Sequence, residues 1–273
     1  MFDLWDKAPE RVRQMIAGRN TAITSEEYRQ KHIQVMNNEI GSLTGYDCPK
    51  CKNKGVIYTL DGAYEVAVPC DCMAIRESIQ RIKSSGLENL LQECTFDTYQ
   101  IDEEWQRRIK QDAMEFVEDH DRKWFFIGGQ VGAGKTHICT AIVGAFLDRG
   151  YRCKYMLWRD EAVKLKAVAN DDFEYSKAIT PLKTVPVLYI DDFFKTSKGE
   201  DRKKRLPTQG DINVAFEIIN YRYINNCITI LSSEWTVDEL LTCDEATGSR
   251  IYQRTKDHHW DIGENRSRNY RLK

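Results

Sequence analysis

The sequence has no long apolar run, no excess charge of either sign, no internal repeat and no low-complexity tract. Each absence removes a class of function. In 273 residues, 40 Lys and Arg face 42 Asp and Glu, a formal net charge of -2. No global positive field is available to hold nucleic acid, so any such contact must come from a local patch. The longest apolar runs are a few residues, too short to cross a bilayer. The opening MFDLWDKAPERVR carries acids and lacks an apolar core segment, so it does not read as a secretory signal. What remains is an ordinary globular balance, 41% hydrophobic and 30% charged, long enough for one substantial core and a smaller module.

Cysteine is the residue in surplus. There are nine: Cys48, Cys51, Cys70, Cys72, Cys94, Cys139, Cys153, Cys227 and Cys243. An odd count without an export signal fits reduced thiols in the cytoplasm. The first four form two close pairs, Cys48-Pro-Lys-Cys51 and Cys70-Asp-Cys72, separated by eighteen residues. Two such pairs can bring four thiolates to one tetrahedral ion, a structural Zn2+ site with no position left for water. Lys50, Lys52 and Lys54 would offset its charge. A module this small needs the metal for its folding energy. Reduced, buried, unliganded cysteines are one alternative and a redox pair another, though no βαβ pattern surrounds it. His32 is expected at the surface.

Along the chain, Thr24 and Glu27 form a capping box ahead of apolar Tyr28, Val35, Met36 and Ile40, and Gly41 supplies a stop. Phe2, Leu4 and Trp5 precede it as a candidate protein-docking segment. Val56, Ile57 and Tyr58 read as a strand before the turn Asp61-Gly62. Residues 76–93 read as an amphipathic connector broken at Gly86. From about residue 95 the pattern becomes α/β. Apolar strands are expected at 124–127, 152–158, 185–190 and 228–231, with helices at 136–149 and 211–223. Strands alternating with helices imply a parallel sheet with helices on both faces.

The strongest motif lies after the first of these strands. Gly129, Gln130, Val131, Gly132, Ala133, Gly134, Lys135 and Thr136, followed by His137, fit G-x-x-x-x-G-K-[ST]. Glycines let the backbone turn its N–H groups onto phosphate oxygens, and the loop opens a helix whose N-terminus favours anions. ATP is the expected ligand, with Lys135 on the β- and γ-phosphates and the Thr136 hydroxyl on Mg2+. The strand Val187-Leu-Tyr-Ile ends in Asp191 and Asp192. Asp191 would hold Mg2+ and Asp192 would polarise the attacking water. A third strand end, Ser232-Ser233-Glu234, offers a polar sensor of the γ-phosphate; which of the three serves stays open. Lys195, Lys198, Arg202, Lys203, Lys204 and Arg205 place six cations within eleven residues, with Glu200 and Asp201 among them. A contact with single-stranded DNA and a solvated loop both remain readings of that stretch. Phe173 and Tyr175 can stack on bases, but packing is the favoured reading.

These motifs, in this order, resemble the AAA+ ATPases, and within them the DnaC/DnaI group of bacterial and phage replicative helicase loaders. The residues carrying the likeness are the P-loop, VLYIDD, the segments 232–240 and 244–251, Arg266-Ser-Arg268, and the lead-in Thr95-Phe-Asp-Thr-Tyr99. It covers residues 94–273 well and the cysteine module less specifically. The resemblance implies an AAA+ core with a parallel sheet flanked by helices, preceded by a small helical, zinc-binding, helicase-interaction domain. The corresponding boundaries are 1–80, a linker 81–100, and 101–273. It implies slow, partner-stimulated ATP hydrolysis, binding to a hexameric replicative helicase and single-stranded DNA, and assembly as a homo-oligomer or helicase-templated ring. Arg254 matches the arginine finger that reaches a neighbour's ATP, with Arg250 as second candidate; Arg266 matches a sensor arginine. Two positions depart from the pattern: Asp192 stands where many members have Glu, and Glu234 where loaders often have Asn. A carboxylate there repels phosphate, which favours Ser233 as the sensor and slow turnover.

Three other readings compete. A transposition helper ATPase of the IstB type shares the core but usually lacks the cysteine module. A DnaA-type initiator needs a C-terminal DNA-binding domain, for which the sequence past Arg268 leaves no room. A silent binding module would follow if Asp192 and Glu234 abolish turnover.

Overall fold

The computed structural model describes residues 25–62, 64–82, 87–196 and 204–272. Phe2, Leu4, Trp5, Thr24, Gly86, Lys198, Arg202 and Lys203 lie outside the described residues. The chain divides into two compact units, Met1–Met73 and Ala74–Lys273.

In the first unit, α1 (Ser25–Asn38) precedes an antiparallel hairpin, β1 (Val56–Asp61) and β2 (Tyr64–Pro69). Its register pairs Val56 with Pro69 and Asp61 with Tyr64. Gly62, at φ 57°, supplies the left-handed turn between them. Among the described residues of this unit, the buried cluster is the four cysteines, with Tyr46 and Ile57 packed against them. His32 is exposed and pairs with Glu65 at 2.8 Å.

The helix α2 (Cys72–Ile82) crosses the division between the units. The second unit continues with α3 (Glu88–Glu93), α4 (Glu104–Glu118), β3 (Trp124–Gly129), α5 (Lys135–Asp148), β4 (Cys153–Leu157), α6 (Trp158–Ala167) and α7 (Asp172–Thr184). Then come β5 (Val187–Phe193), α8 (Gln209–Ile224), β6 (Ile228–Ser233), α9 (Val237–Cys243), α10 (Glu245–Thr255) and β7 (His259–Ile262). The five strands form one parallel sheet in the order β4-β5-β6-β3-β7.

Alternation along each strand builds two cores from one sheet. Phe125 and Ile127 of β3, with Val187 and Tyr189 of β5, face Phe116 of α4 and Ile138, Ile142 and Phe146 of α5. Trp124 and Phe126, with Leu188 and Ile190, face the other way onto Leu165, Ile179, Ile218, Leu240 and Ile251 from α6 to α10. The strands read as unbroken apolar runs because both faces are covered.

Residues 87–99 are not a free connector, as the expected linker 81–100 would have it. Leu87 and Tyr99 are buried in the first core, and Leu90, Leu91 and Phe96 pack against it. Phe173 and Tyr175 both lie on α7. There Tyr175 packs against the second core and donates its hydroxyl to Glu217 at 2.8 Å, as a packing role requires. Phe173 does not pack; it is exposed, with Lys177 Nζ 6.0 Å from its ring centroid.

Candidate functional site

The P-loop joins β3 to α5 through left-handed backbone at Gly129, Gly132 and Gly134. Two of these glycines also sit against the C-terminal segment. A side chain at Gly129 would strike the Ile262 carbonyl, and one at Gly132 would strike Asn269 Oδ1. The neighbouring backbone is tied to the same residues: Gln130 N–H donates to Ile262 at 2.9 Å, and Tyr270 N–H donates to Gly132 at 2.9 Å. Tyr270 is held in turn, its hydroxyl receiving Gln106 Nε2 at 2.6 Å and donating to Asp102 at 2.9 Å.

A cavity of about 250 Å3 opens over this loop, lined by Gly132, Lys135, Thr136, His137, Asp192, Lys195, Glu234, Tyr270 and Arg271 among others. Lys135 Nζ donates to the carbonyls of Gly129 and Gln130 at 2.8 and 2.7 Å. Burial lowers its pKa to about 8, against the pull of Glu234, Asp192 and Asp191. His137 Nε2 donates to the Thr95 carbonyl at 3.0 Å and meets Tyr99 edge-on at 5.3 Å, so the 95–99 lead-in touches the first turn of α5.

The sheet order places β6 between the P-loop strand β3 and the acid strand β5. Asp191 ends the regular part of β5, where the register against β6 shifts between Ile190 and Phe193. Its carboxylate is buried and well satisfied. Tyr189 donates to it at 2.7 Å, Tyr155 at 3.1 Å, Thr136 at 3.4 Å, and Ser232 closes the set. Burial, then the charge of Asp191, pushes the pKa of both tyrosines up, so they remain protonated donors. Asp192 follows at φ 54°, a conformation few non-glycine residues adopt, which turns its side chain out of the strand into the cavity. There it pairs with Lys195 at 2.7 Å.

The β6 end separates the three sensor candidates. Ser232 serves Asp191 and also accepts from the Asp192 N–H at 3.1 Å. Ser233, expected as the sensor, is fully buried: its hydroxyl donates to Phe193 O at 2.7 Å and accepts from Trp235 N–H at 3.0 Å. Strand alternation turns it away from the cavity, and it staples β5 to β6 instead. Glu234 alone of the three lines the cavity, 3.2 Å from Lys195.

The arginines are placed elsewhere. Arg250 on α10 donates to Asn220 at 3.0 Å and Ala246 O at 2.7 Å, its guanidinium over Phe216. Arg254 donates to Arg122 O at 2.9 Å and Asn226 at 2.7 Å, over the Tyr223 ring. Neither lines this chain's own cavity. Arg266 is exposed and does not line it either; the C-terminal segment contributes Arg271 and Tyr270 instead. Of the basic stretch, Lys195 pairs with Asp192 and Glu234, and Lys204 with Glu239 at 2.8 Å, so two of its cations are already engaged.

The cysteines converge. All four sulfurs lie within 4.8 Å of one another and all four residues are buried. Cys48 and Cys70 are 3.8 Å apart and Cys51 and Cys72 3.5 Å, close to the roughly 3.8 Å edge of a tetrahedron with Zn–S bonds of about 2.3 Å. Lys52 and Asn53 adopt positive φ in the knuckle, and Gly55 N–H donates to Cys51 Sγ at 3.3 Å. Burial opposes ionisation of Cys51, but that N–H and the neighbouring sulfurs outweigh it and lower its pKa to about 6. This donor set suits a soft divalent ion.

Sequence reasoning missed Tyr155, Tyr189, Lys195, Tyr270 and Arg271. Two had a signal. Tyr189 stands two residues before Asp191, hence on the same strand face, and Tyr155 is its register partner on β4.

A parallel sheet with a phosphate loop on one strand, paired carboxylates two strands away and a polar strand end between them defines an AAA+ ATPase. The chain belongs to the family of IstB-like ATP binding proteins, whose profile matches residues 74–273. Phage-like element PBSX protein XkdC of Bacillus subtilis is 30% identical, with 78% of this chain and 81% of that protein covered. Replicative helicase loader DnaC of Escherichia coli K12 is 29% identical over 111 residues, 40% of this chain and 45% of DnaC. Among solved structures, the DnaC helicase loader superposes with a TM-score of 0.51 at 20% identity, covering 64% of this chain and 98% of that one. At that identity the likeness carries the fold.

Proposed function

We propose that this chain is a helicase loader. It binds ATP, hydrolyses it slowly as a timing switch, and brings a hexameric replicative helicase to single-stranded DNA in the cytoplasm. The observation that carries the reading is the four-cysteine cluster. It lies before residue 74, where the family profile begins, so it is an addition to the shared ATPase core. Cys48, Cys51, Cys70 and Cys72 hold Zn2+, which gives a unit whose described buried cluster is these cysteines the folding energy to present a helicase-binding surface.

In the ATPase, Lys135 meets the β- and γ-phosphates and the P-loop amides cradle them. Thr136 and Asp191, 3.4 Å apart, are the ligands for Mg2+, which neutralises phosphate charge. Asp192 orients the water. Arg254, with Arg250 beside it on the same helix, serves a neighbouring subunit's ATP, and Arg271 takes the nucleotide contact expected of Arg266. Subunits therefore assemble as a ring, alone or on the helicase.

Co-purification tests this. The chain should capture the replicative helicase of its host, more strongly with ATP than without. Capture of a transposase and no helicase would establish the second reading, a transposition helper of the IstB type acting on double-stranded DNA.

A further inference from the structure

At the end of β5 the backbone passes through left-handed conformations at Asp192, φ 54°, and Phe194, φ 58°. This double turn, closed by the Lys195 N–H donating to Asp192 O at 2.9 Å, swings Lys195 back over the strand end. Its ammonium then bridges two carboxylates, Asp192 near the end of β5 at 2.7 Å and Glu234 just past the end of β6 at 3.2 Å. All three side chains line the cavity that also contains Lys135 and Thr136.

Two carboxylates facing an ATP phosphate chain pose an electrostatic problem. Lys135, Arg271 and Mg2+ face the triphosphate, and none of them is paired with Asp192 or Glu234. Glu234 in particular is not withdrawn from the cavity; it remains in its lining, only 15% exposed. Like charges at such separations in a partly dehydrated site repel strongly, and a cation held between them removes most of the cost. A terminal phosphate entering the cavity is a better partner for an ammonium than a single carboxylate.

We propose that Lys195 is a further cation of the phosphate site: it neutralises Glu234 and exchanges Asp192 for the terminal phosphate of ATP, so that Asp192 becomes available to the attacking water only when a γ-phosphate is present. This rests on the assignment of the cavity to ATP. It resolves the misfit of a carboxylate at the sensor position. The pair Glu234–Lys195 presents to the γ-phosphate the positive group that Glu234 alone cannot. ADP, which stops one phosphate short, leaves the Lys195–Asp192 pair intact.

The test compares a non-hydrolysable ATP analogue with ADP, both with Mg2+, in equilibrium titrations of the full chain. Lys195→Met should weaken the analogue about tenfold and ADP less than about twofold. Adding Glu234→Gln to Lys195→Met should recover analogue affinity to within roughly threefold of the parent, because the uncompensated charge is gone. Recovery should not extend to turnover. Lys195→Gln provides a second neutral variant if the methionine form does not fold, and Lys195→Arg should keep the preference for the analogue over ADP. Equal weakening of both nucleotides, no change in either, or a double variant no better than Lys195→Met overturns the proposal. Lys135→Ala in the same titration separates the two claims: if it binds both nucleotides like the parent, the cavity is not the ATP site at all.

Discussion

Asp191 accepts hydrogen bonds from Tyr189, Tyr155, Thr136 and Ser232, and that set explains how a carboxylate survives at 5% exposure. The P-loop and the two aspartates were legible because their chemistry demands fixed residue types at fixed spacing. The sensor was not legible. Ser232, Ser233 and Glu234 are consecutive, and only the phase of the strand decides which one faces the phosphates. The partners of Lys195 were not legible for a similar reason: a charge count in sequence cannot tell which carboxylates a lysine will reach. The residue-level roles make separable demands. Lys135→Ala removes about 2 to 3 kcal/mol of charge-assisted contact and should weaken ATP by roughly 30- to 150-fold in a fluorescent-nucleotide titration. Asp192→Ala should bind ATP at least as well as the parent and lose steady-state turnover. An Asp192→Ala protein that hydrolyses ATP at the parent rate removes Asp192 from the mechanism.

At the scale of elements, the long apolar strands and amphipathic helices were readable from periodicity, since each buries a face whose residues recur in step. β7 was not. Only two of its four residues, Trp260 and Ile262, are apolar, and it takes strand conformation by pairing with β3, far away in sequence. The helix α4 escaped for a related reason: its buried stripe, Ile109, Ala113, Phe116 and Val117, is thin amid charge. The element with most at stake for the frame is α8. Arg222 on it is fully buried, and burial lowers its pKa to about 10. Its guanidinium donates to the carbonyls of Leu182, Lys183 and Val185 at 3.0, 3.1 and 2.8 Å and to Thr229 Oγ1 at 2.9 Å. It thus ties the end of α7 and the starts of β5 and β6 to one point. Arg222→Leu strands these acceptors without donors and should cost at least about 3 kcal/mol. In a domain of this size that lowers the melting temperature by roughly 6 to 12 °C, readable by circular dichroism. Lysine cannot supply the planar fork and should rescue little.

For the molecule as a whole, two units with different sources of stability stand in one chain. The larger has two apolar cores on one sheet. The smaller gathers four cysteines where a core would be. That arrangement was visible in the sequence as two close pairs, whereas the division at Met73 and Ala74 fell inside a continuous helix and left no compositional mark. Metal analysis of the purified chain should find about one zinc per molecule. Cys51→Ser should lower that content and reduce helicase capture, while ATP affinity stays within about twofold of the parent. Zinc retained in full by Cys51→Ser would contradict the four-thiolate site. The central claim is that ATP on the P-loop governs delivery of a ring helicase to a single strand. The most direct measurement is the amount of replicative helicase stably retained on a circular single-stranded DNA, with the chain and ATP, with the chain alone, and with Lys135→Ala and ATP. Retention should rise several-fold only in the first case. Equal retention in all three, or a rise only on double-stranded circles, would contradict it.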